Sequence, residues 1–395
     1  MPERRAVLLP ILLLAMMASS FQLFAIAVLA VDLIDEFGLS RTAIGLLGSL
    51  NTFVGATTAP TIGRLTDRIG TRLSIIILLT VSAIGMALTA LSGSWIMLAV
   101  AAVISGLPQG WGNPATNALI AERVPVSQQG TVTGIKQSGV QFSVFLSGLT
   151  LPGLAAAVGW RGAVAGYAVI FLIAAIVAGL RLGPAPAANP DATTDDLIAP
   201  ATKLPIPSFI WRLTLYAFLS GTAGGIISRF LPLWANETVG ISVVGAGGIV
   251  ALGGALGIVA RVWVGRLAQT RMAATPLLSL LAIVGAAYSG ILLVTQTIGA
   301  WVLWPAAALF ALGIAAWNTV AMLAVITTTP KAGAGRASGI VMVGFLGGLT
   351  VGSPIAGLVV DRWGSFQPVW VGTLALALAA SVVINPRFTK RTTKA

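Results

Sequence analysis

From Ala6 to Val31 the chain runs 26 residues without a single charge. A membrane-spanning helix needs about 20 mostly apolar residues, because hydrocarbon offers no partner to a backbone N–H or C=O. Eleven more apolar stretches of spanning length follow, and such a succession leaves few folds open. A soluble domain carries roughly 25% charged residues; here 9% are charged and 57% hydrophobic, with mean hydropathy +0.96. The opening Met1–Arg5 and its apolar run resemble a secretory signal. That run is too long for the apolar part of one, and further spans follow, so it reads as a first transmembrane helix. Helices are expected at 6–31, 42–63, 73–92, 95–120, 131–157 and 162–182, then at 208–234, 241–264, 273–296, 299–327, 334–360 and 366–385.

Between these two sets of six lies a stretch with Pro184, Pro186, Pro190, Pro200, Pro205 and Pro207, and with Asp191, Asp195 and Asp196. It reads as a polar, helix-breaking linker. The expected organisation is one six-helix bundle over 1–183, a linker over 184–207 and a second bundle over 208–395. The halves repeat. Gly63-Arg-Leu-Thr-Asp67-Arg68-Ile-Gly70-Thr-Arg72 has a worn echo 202 residues on, Gly265-Arg266-Leu267-Ala-Gln269-Thr-Arg271. Gly134-Ile135-Lys136 with Gly139 parallels Gly339-Ile340-Val341 with Gly344. Trp111 and Asn113 roughly parallel Trp317 and Asn318.

Lysine and arginine in short loops set orientation. With the N-terminus inside, 17 basic residues fall on the inside, against Arg41, Arg161 and Arg362 outside. Both termini and both copies of the loop motif are therefore expected in the cytoplasm, and the chain in a bacterial inner membrane. The net charge of +12 is then topology and contact with anionic lipid, with no nucleic-acid partner. Without histidine or cysteine the chain lacks the commonest catalytic base and any thiolate metal site. No Ser/His/Asp set, phosphate-binding loop or buried carboxylate pair is present, so no enzyme, metal or cofactor is expected.

Six plus six helices, a mid-chain linker and the motif at 63–72 resemble the major facilitator superfamily over essentially the whole chain. The resemblance implies two pseudo-symmetric bundles working by alternating access around a midplane site. It implies a gating role for Gly63, Asp67, Arg68, Gly70 and Arg72, with Asp67 pairing across the cytoplasmic face in the outward-open state. Gly265 and Arg266 are the second copy, and Gln269 there replaces the acid.

Three cations remain inside spans, Lys136, Arg229 and Arg261, and no acid lies as deep. An embedded cation costs at least about 2.5–3.5 kcal/mol at a helix centre. The substrate is the simplest source of the compensating negative charge. Arg261, in Arg-x3-Gly-x-Leu, resembles the eighth-helix arginine of monocarboxylate and oxalate/formate transporters, where it binds carboxylate; the competing reading is snorkelling to the interface. Lys136, with Gln137 and Gln141 one turn apart, is a second candidate contact. Arg229 lies between Gly224-Gly225 and Pro232, which suggest a broken outer half of the helix; it is a candidate outer-gate or substrate contact, the competing reading being a helix-end residue reaching the outer headgroups. Asn113, Asn117, Trp111, Trp317 and Asn318 are candidate cavity residues, with interhelical hydrogen bonding the alternative for the amides. Drug antiporters of this superfamily carry an arginine in the fourth helix where this chain has Gly106, which lowers an efflux reading. Coupling stays open between a substrate carrying its own proton, anion exchange, and a shallow proton site at Asp32 or Glu237. The expected partners are a small anionic substrate, protons or a counter-anion, and the lipid bilayer around a monomer.

Overall fold

The structure, a computed structural model, describes residues 2–183, 206–329 and 331–385. The linker expected at 184–207 lies almost wholly outside them. Among the described residues all regular structure is helical: α1 (Pro2–Val28), α2 (Ala30–Phe37), α3 (Arg41–Ile69), α4 (Thr71–Ala90), α5 (Trp95–Arg123), α6 (Val126–Arg181), α7 (Ser208–Glu237), α8 (Val243–Thr270), α9 (Ala274–Ile298), α10 (Leu303–Phe310), α11 (Trp317–Thr328), α12 (Lys331–Trp363) and α13 (Gln367–Ile384). Nine helical stretches among these residues are long and apolar enough to cross a membrane. One of them, α6, holds two spans. It is interrupted at Gly159, whose φ of +77° is open to glycine and strained for other residues. With the 29-residue α3 and the 30-residue α7, this makes twelve passes, α10 and α11 forming one of them.

Three expected helices differ in detail. The first stretch ends at Val28, and the backbone breaks at Leu29 before the short amphipathic α2, which carries Asp32, Asp35 and Glu36. The suggested break in the seventh helix is absent: α7 runs unbroken through Gly224, Gly225 and Pro232. Its glycines serve packing instead, since a Cβ on Gly225 would lie 3.0 Å from Leu349. The tenth stretch is not one regular helix. It starts as a 3-10 turn at Ala300–Val302 and widens to a π turn at Ala311–Ala315. There Gly313 lies against α9 so closely that a Cβ would sit 2.3 Å from the Gly285 nitrogen.

Two compact units emerge from the packing. Of the described residues, the first comprises 2–183, 228–258 and 353–365; the second comprises 206–227, 259–329, 331–352 and 366–385. In the first, α1, α3, α4, α5 and α6 pack through small residues. A Cβ on Gly106 of α5 would lie 2.6 Å from the Val54 Cβ and 2.7 Å from the Asn51 oxygen of α3. Polar groups are paired across helices: Gln22 donates to Thr89 Oγ1 at 2.8 Å, and Asn51 donates to Gln22 Oε1 at 3.3 Å. In the second unit, Trp317 packs edge-on against Tyr216 and Phe345, and the Tyr216 hydroxyl donates to the Leu278 oxygen at 3.0 Å. Large apolar side chains such as Leu172, Ile176 and Leu180 of α6 are exposed, as lipid-facing positions require.

Candidate substrate-binding site and gates

A buried polar cluster of the first unit centres on Lys136. Gly139, one turn on, presses α6 onto α1: a Cβ there would lie 2.5 Å from the Leu13 oxygen. This close approach buries Lys136 completely, at 0% exposure. Its Nζ donates to Asn117 Oδ1 at 2.6 Å, Thr116 Oγ1 at 2.8 Å and Asn113 Oδ1 at 3.1 Å. Asn113, Thr116 and Asn117 stand at i, i+3 and i+4 on one face of α5. Gln137 Nε2 also donates to Asn113 Oδ1, at 3.1 Å. Lys136 is buried, but Asn113 and Asn117 are exposed. Two carboxamides facing hydrocarbon would leave polar groups unsatisfied; facing water they do not. Gln141, one turn beyond Gln137, is 4% exposed, and its Oε1 has no partner among the described residues.

The other two embedded cations also meet neutral oxygens. Arg229 of α7 donates through Nη1 to the Leu23 oxygen of α1 at 2.8 Å and is 4% exposed. It fills the place of a missing side chain on α3, since a Cβ on Gly48 would fall 1.8 Å from its Nη2. Arg261 of α8, in the second unit, donates through Nε to the Ala315 oxygen at 3.2 Å. Ala315 belongs to the π turn, where a wider coil loosens the usual carbonyl pairing. The Nη1–Nη2 edge of Arg261 has no partner among the described residues, and the side chain is partly accessible. The ion pairs formed among the described residues all lie elsewhere: Arg41–Glu237 at 2.8 Å, Arg123–Glu122 at 3.0 Å and Arg161–Glu36.

Trp111 is 6% exposed and donates to Thr66 Oγ1 at 3.1 Å, which ties α5 to α3. Trp317 lies in the aromatic cluster of the second unit, 2% exposed, and Asn318 beside it is half-buried. Neither tryptophan ring makes a cation–π contact with Lys136, Arg229 or Arg261 among the described residues. Glu237 is engaged by Arg41. Asp32, on α2, has one buried oxygen without a partner; burial pushes its carboxyl above the usual range, and Asp35 and Glu36 add to the effect.

The two ends of the first unit differ. At the end bearing Asp361, that carboxylate of α12 receives the start of α3: Arg41 N at 2.9 Å, Thr42 N at 2.8 Å and Thr42 Oγ1 at 2.6 Å. A carboxylate against a helix N-terminus is favoured by its unpaired N–H groups and its dipole. Nearby, Gly148 of α6 and Gly247 of α8 approach so closely that a Cβ on either would lie 2.4–2.5 Å from the other's oxygen. At the motif end, Gly70 makes the α3–α4 turn at φ +83°. Asp67 and Arg68 are exposed, and Asp67 has no ion pair among the described residues. Arg72 donates to the Gly179 oxygen at 2.6 Å. Gly63 has open space around it, a Cβ on Gly265 would lie 3.2 Å from the Thr319 methyl, and Arg266 is exposed. Asp361, Thr42, Thr116 and Gly48 were not singled out from sequence. Only Thr116 carried a signal, its position on the Asn113–Asn117 face.

Twelve passes, cations within spans and a charged, glycine-punctuated loop motif define a polytopic membrane protein. The chain belongs to the Major Facilitator Superfamily, whose family pattern it matches over residues 12–349. It is 28% identical over 265 residues to uncharacterised MFS-type transporters of two Mycobacterium tuberculosis strains, CDC 1551 / Oshkosh and H37Rv, a match covering 64% of this chain. That match spans 56% of the relatives' own length. Among solved structures, a bacterial homologue of the human lysosomal transporter Spinster in an inward-facing, occupied conformation superposes with a TM-score of 0.71 at 16% identity, covering 96% of this chain and 94% of that one. A mutant of the nucleoside transporter NupG gives 0.77 at 13% identity, with coverage of 96% and 97%. At such identities the likeness is one of fold.

Proposed function

We propose that this chain is a secondary transporter that moves a small organic anion, a mono- or dicarboxylate, across a bacterial inner membrane by alternating access. The carrying observation is that Lys136, Arg229 and Arg261 are each hydrogen-bonded only to neutral oxygens among the described residues. Uncompensated embedded cations are costly, and a transported anion supplies the missing charge for part of each cycle. Arg229, locked onto α1 and α3, is structural. The Lys136 cluster and the open edge of Arg261 are the anion sites, one in each unit. The frame around Arg261, which resembles that of monocarboxylate transporters, supports the carboxylate class. With both termini cytoplasmic, the Asp361 end faces outward and is closed in this conformation. Asp67, exposed here, makes its pairing in the opposite state. Glu237 is engaged by Arg41, which leaves Asp32 as the outer-mouth proton site if the substrate does not carry its own proton. The efflux reading is weakened at Gly106, where packing against α3 leaves no room for an arginine.

The test is uptake of labelled carboxylates into proteoliposomes. Wild type is expected to transport one or more of them, and Arg261→Ala to lose at least tenfold in rate. Wild-type rates in both Arg261→Ala and Arg261→Lys would overturn the Arg261 assignment. Resistance to lipophilic cations in expressing cells, without carboxylate uptake, would overturn the anion reading.

A further inference from the structure

We propose that Lys136 never touches the transported molecule. It is a positioning residue that turns the amides of Asn113 and Asn117 so that their N–H groups, and not their oxygens, form the surface an oxyanion meets. This rests on the anion-transport reading and names the recognising atoms.

An ammonium has three protons and no acceptor. All three find partners, on Asn113, Thr116 and Asn117, and the side chain is fully buried. No proton is left for a ligand. Because Lys136 can only donate, both asparagines must present oxygen to it. In a planar carboxamide the NH2 group then points away, and these two residues are the exposed members of the cluster. Gln137 strengthens the arrangement by donating to the second lone pair of Asn113 Oδ1. Thr116 is oriented too: its own proton goes to the Gly112 oxygen, so its lone pairs face Lys136. The outcome is two NH2 groups without partners among the described residues, polarised by a cation directly behind them. Hydrogen bonds in such a chain reinforce one another in a low-dielectric site. The surface favours carboxylate or another oxyanion and repels a cation, while the ammonium stays out of reach.

The experiment combines ligand-free and ligand-bound thermal stability of the purified full-length protein, with acetate, pyruvate and succinate as probes and choline as the cationic control. Without ligand, Asn117→Asp is expected to raise the melting temperature when Lys136 is present, because the carboxylate then faces the ammonium, and to lower it in a Lys136→Met background. Equal effects in both backgrounds would overturn the proposal whatever the substrate proves to be. With ligand, Lys136→Met is expected to weaken carboxylate binding at least tenfold, and Asn117→Asp to abolish it. In an Asn113→Leu/Asn117→Leu background, adding Lys136→Met should cost nothing further. A further tenfold loss there would mean that Lys136 contacts the ligand itself, and the proposal would fall. Lys136→Gln repeats each arm should the methionine variant prove unstable. Should wild type respond to none of the carboxylates, the anion reading fails, and the ligand-free comparison still decides the amide orientation.

Discussion

Lys136, Arg229 and Arg261 are indistinguishable by the rule that picks them out, a cation within an apolar stretch. Their partners separate them. Lys136 sits behind exposed amides, Arg229 ties α7 to the Leu23 carbonyl, and Arg261 keeps one guanidinium edge open. The Arg229 role gives a sharp test. Gly48→Ala places a methyl where Nη2 now lies, and such overpacking costs about 1–3 kcal/mol. Combining it with Arg229→Ala removes the collision, so the two changes should be non-additive by about 1 kcal/mol or more in denaturation measurements; simple additivity would refute the contact. Asp32 offers a pH test. Its folded carboxyl is raised by burial, so it favours the fold when protonated, at acid pH, and that contribution is lost as pH rises through the folded value. Asp32→Asn should therefore raise the melting temperature at pH 7, and the gain should vanish at a pH below the ordinary aspartate range. A gain that is independent of pH would mean that the charge of Asp32 is not what burial penalises.

At the level of elements, the apolar stretches were legible because lipid imposes length and polarity on every span alike. The interruptions were not. α7 carries Gly224, Gly225 and Pro232 and stays continuous, whereas the tenth stretch lacks any strong breaker beyond Pro305 and Gly313 and yet opens into a π turn. The difference lies in the neighbours: Gly313 is drawn against Gly285 of α9, while the glycines of α7 accommodate side chains such as Leu349 and Ile314. Helix α6 depends on its neighbours in the same way. Gly139→Ala would set a methyl 2.5 Å from the Leu13 carbonyl of α1, a backbone atom that cannot rotate aside. The expected result is a loss of about 1–3 kcal/mol together with impaired carboxylate transport, because Lys136 shares that face. Unchanged stability would show that α6 and α1 pack less closely than this.

For the whole molecule, Asp361 of α12 holds the start of α3 through hydrogen bonds that join residues up to 320 positions apart. Asp361→Ala should release the start of α3 and favour opening there. The chain has no cysteine, so a single Ser353→Cys, buried against Gly45, reports this without background. Its labelling by a membrane-impermeant maleimide in intact cells should quicken several-fold in the Asp361→Ala variant, and an unchanged rate would show that Asp361 does not hold this end together. By itself the sequence determined the membrane class, the twelve passes and the short list of embedded charges, because the bilayer acts on each segment separately and composition reports that directly. Only the tertiary structure decided which of those charges are spent on the protein's own carbonyls and which polar atoms are left facing outward. Hydrogen-bond partners come from other helices, as with Arg229 and Leu23, 206 residues apart, and no local pattern encodes which face of one helix will meet which face of another.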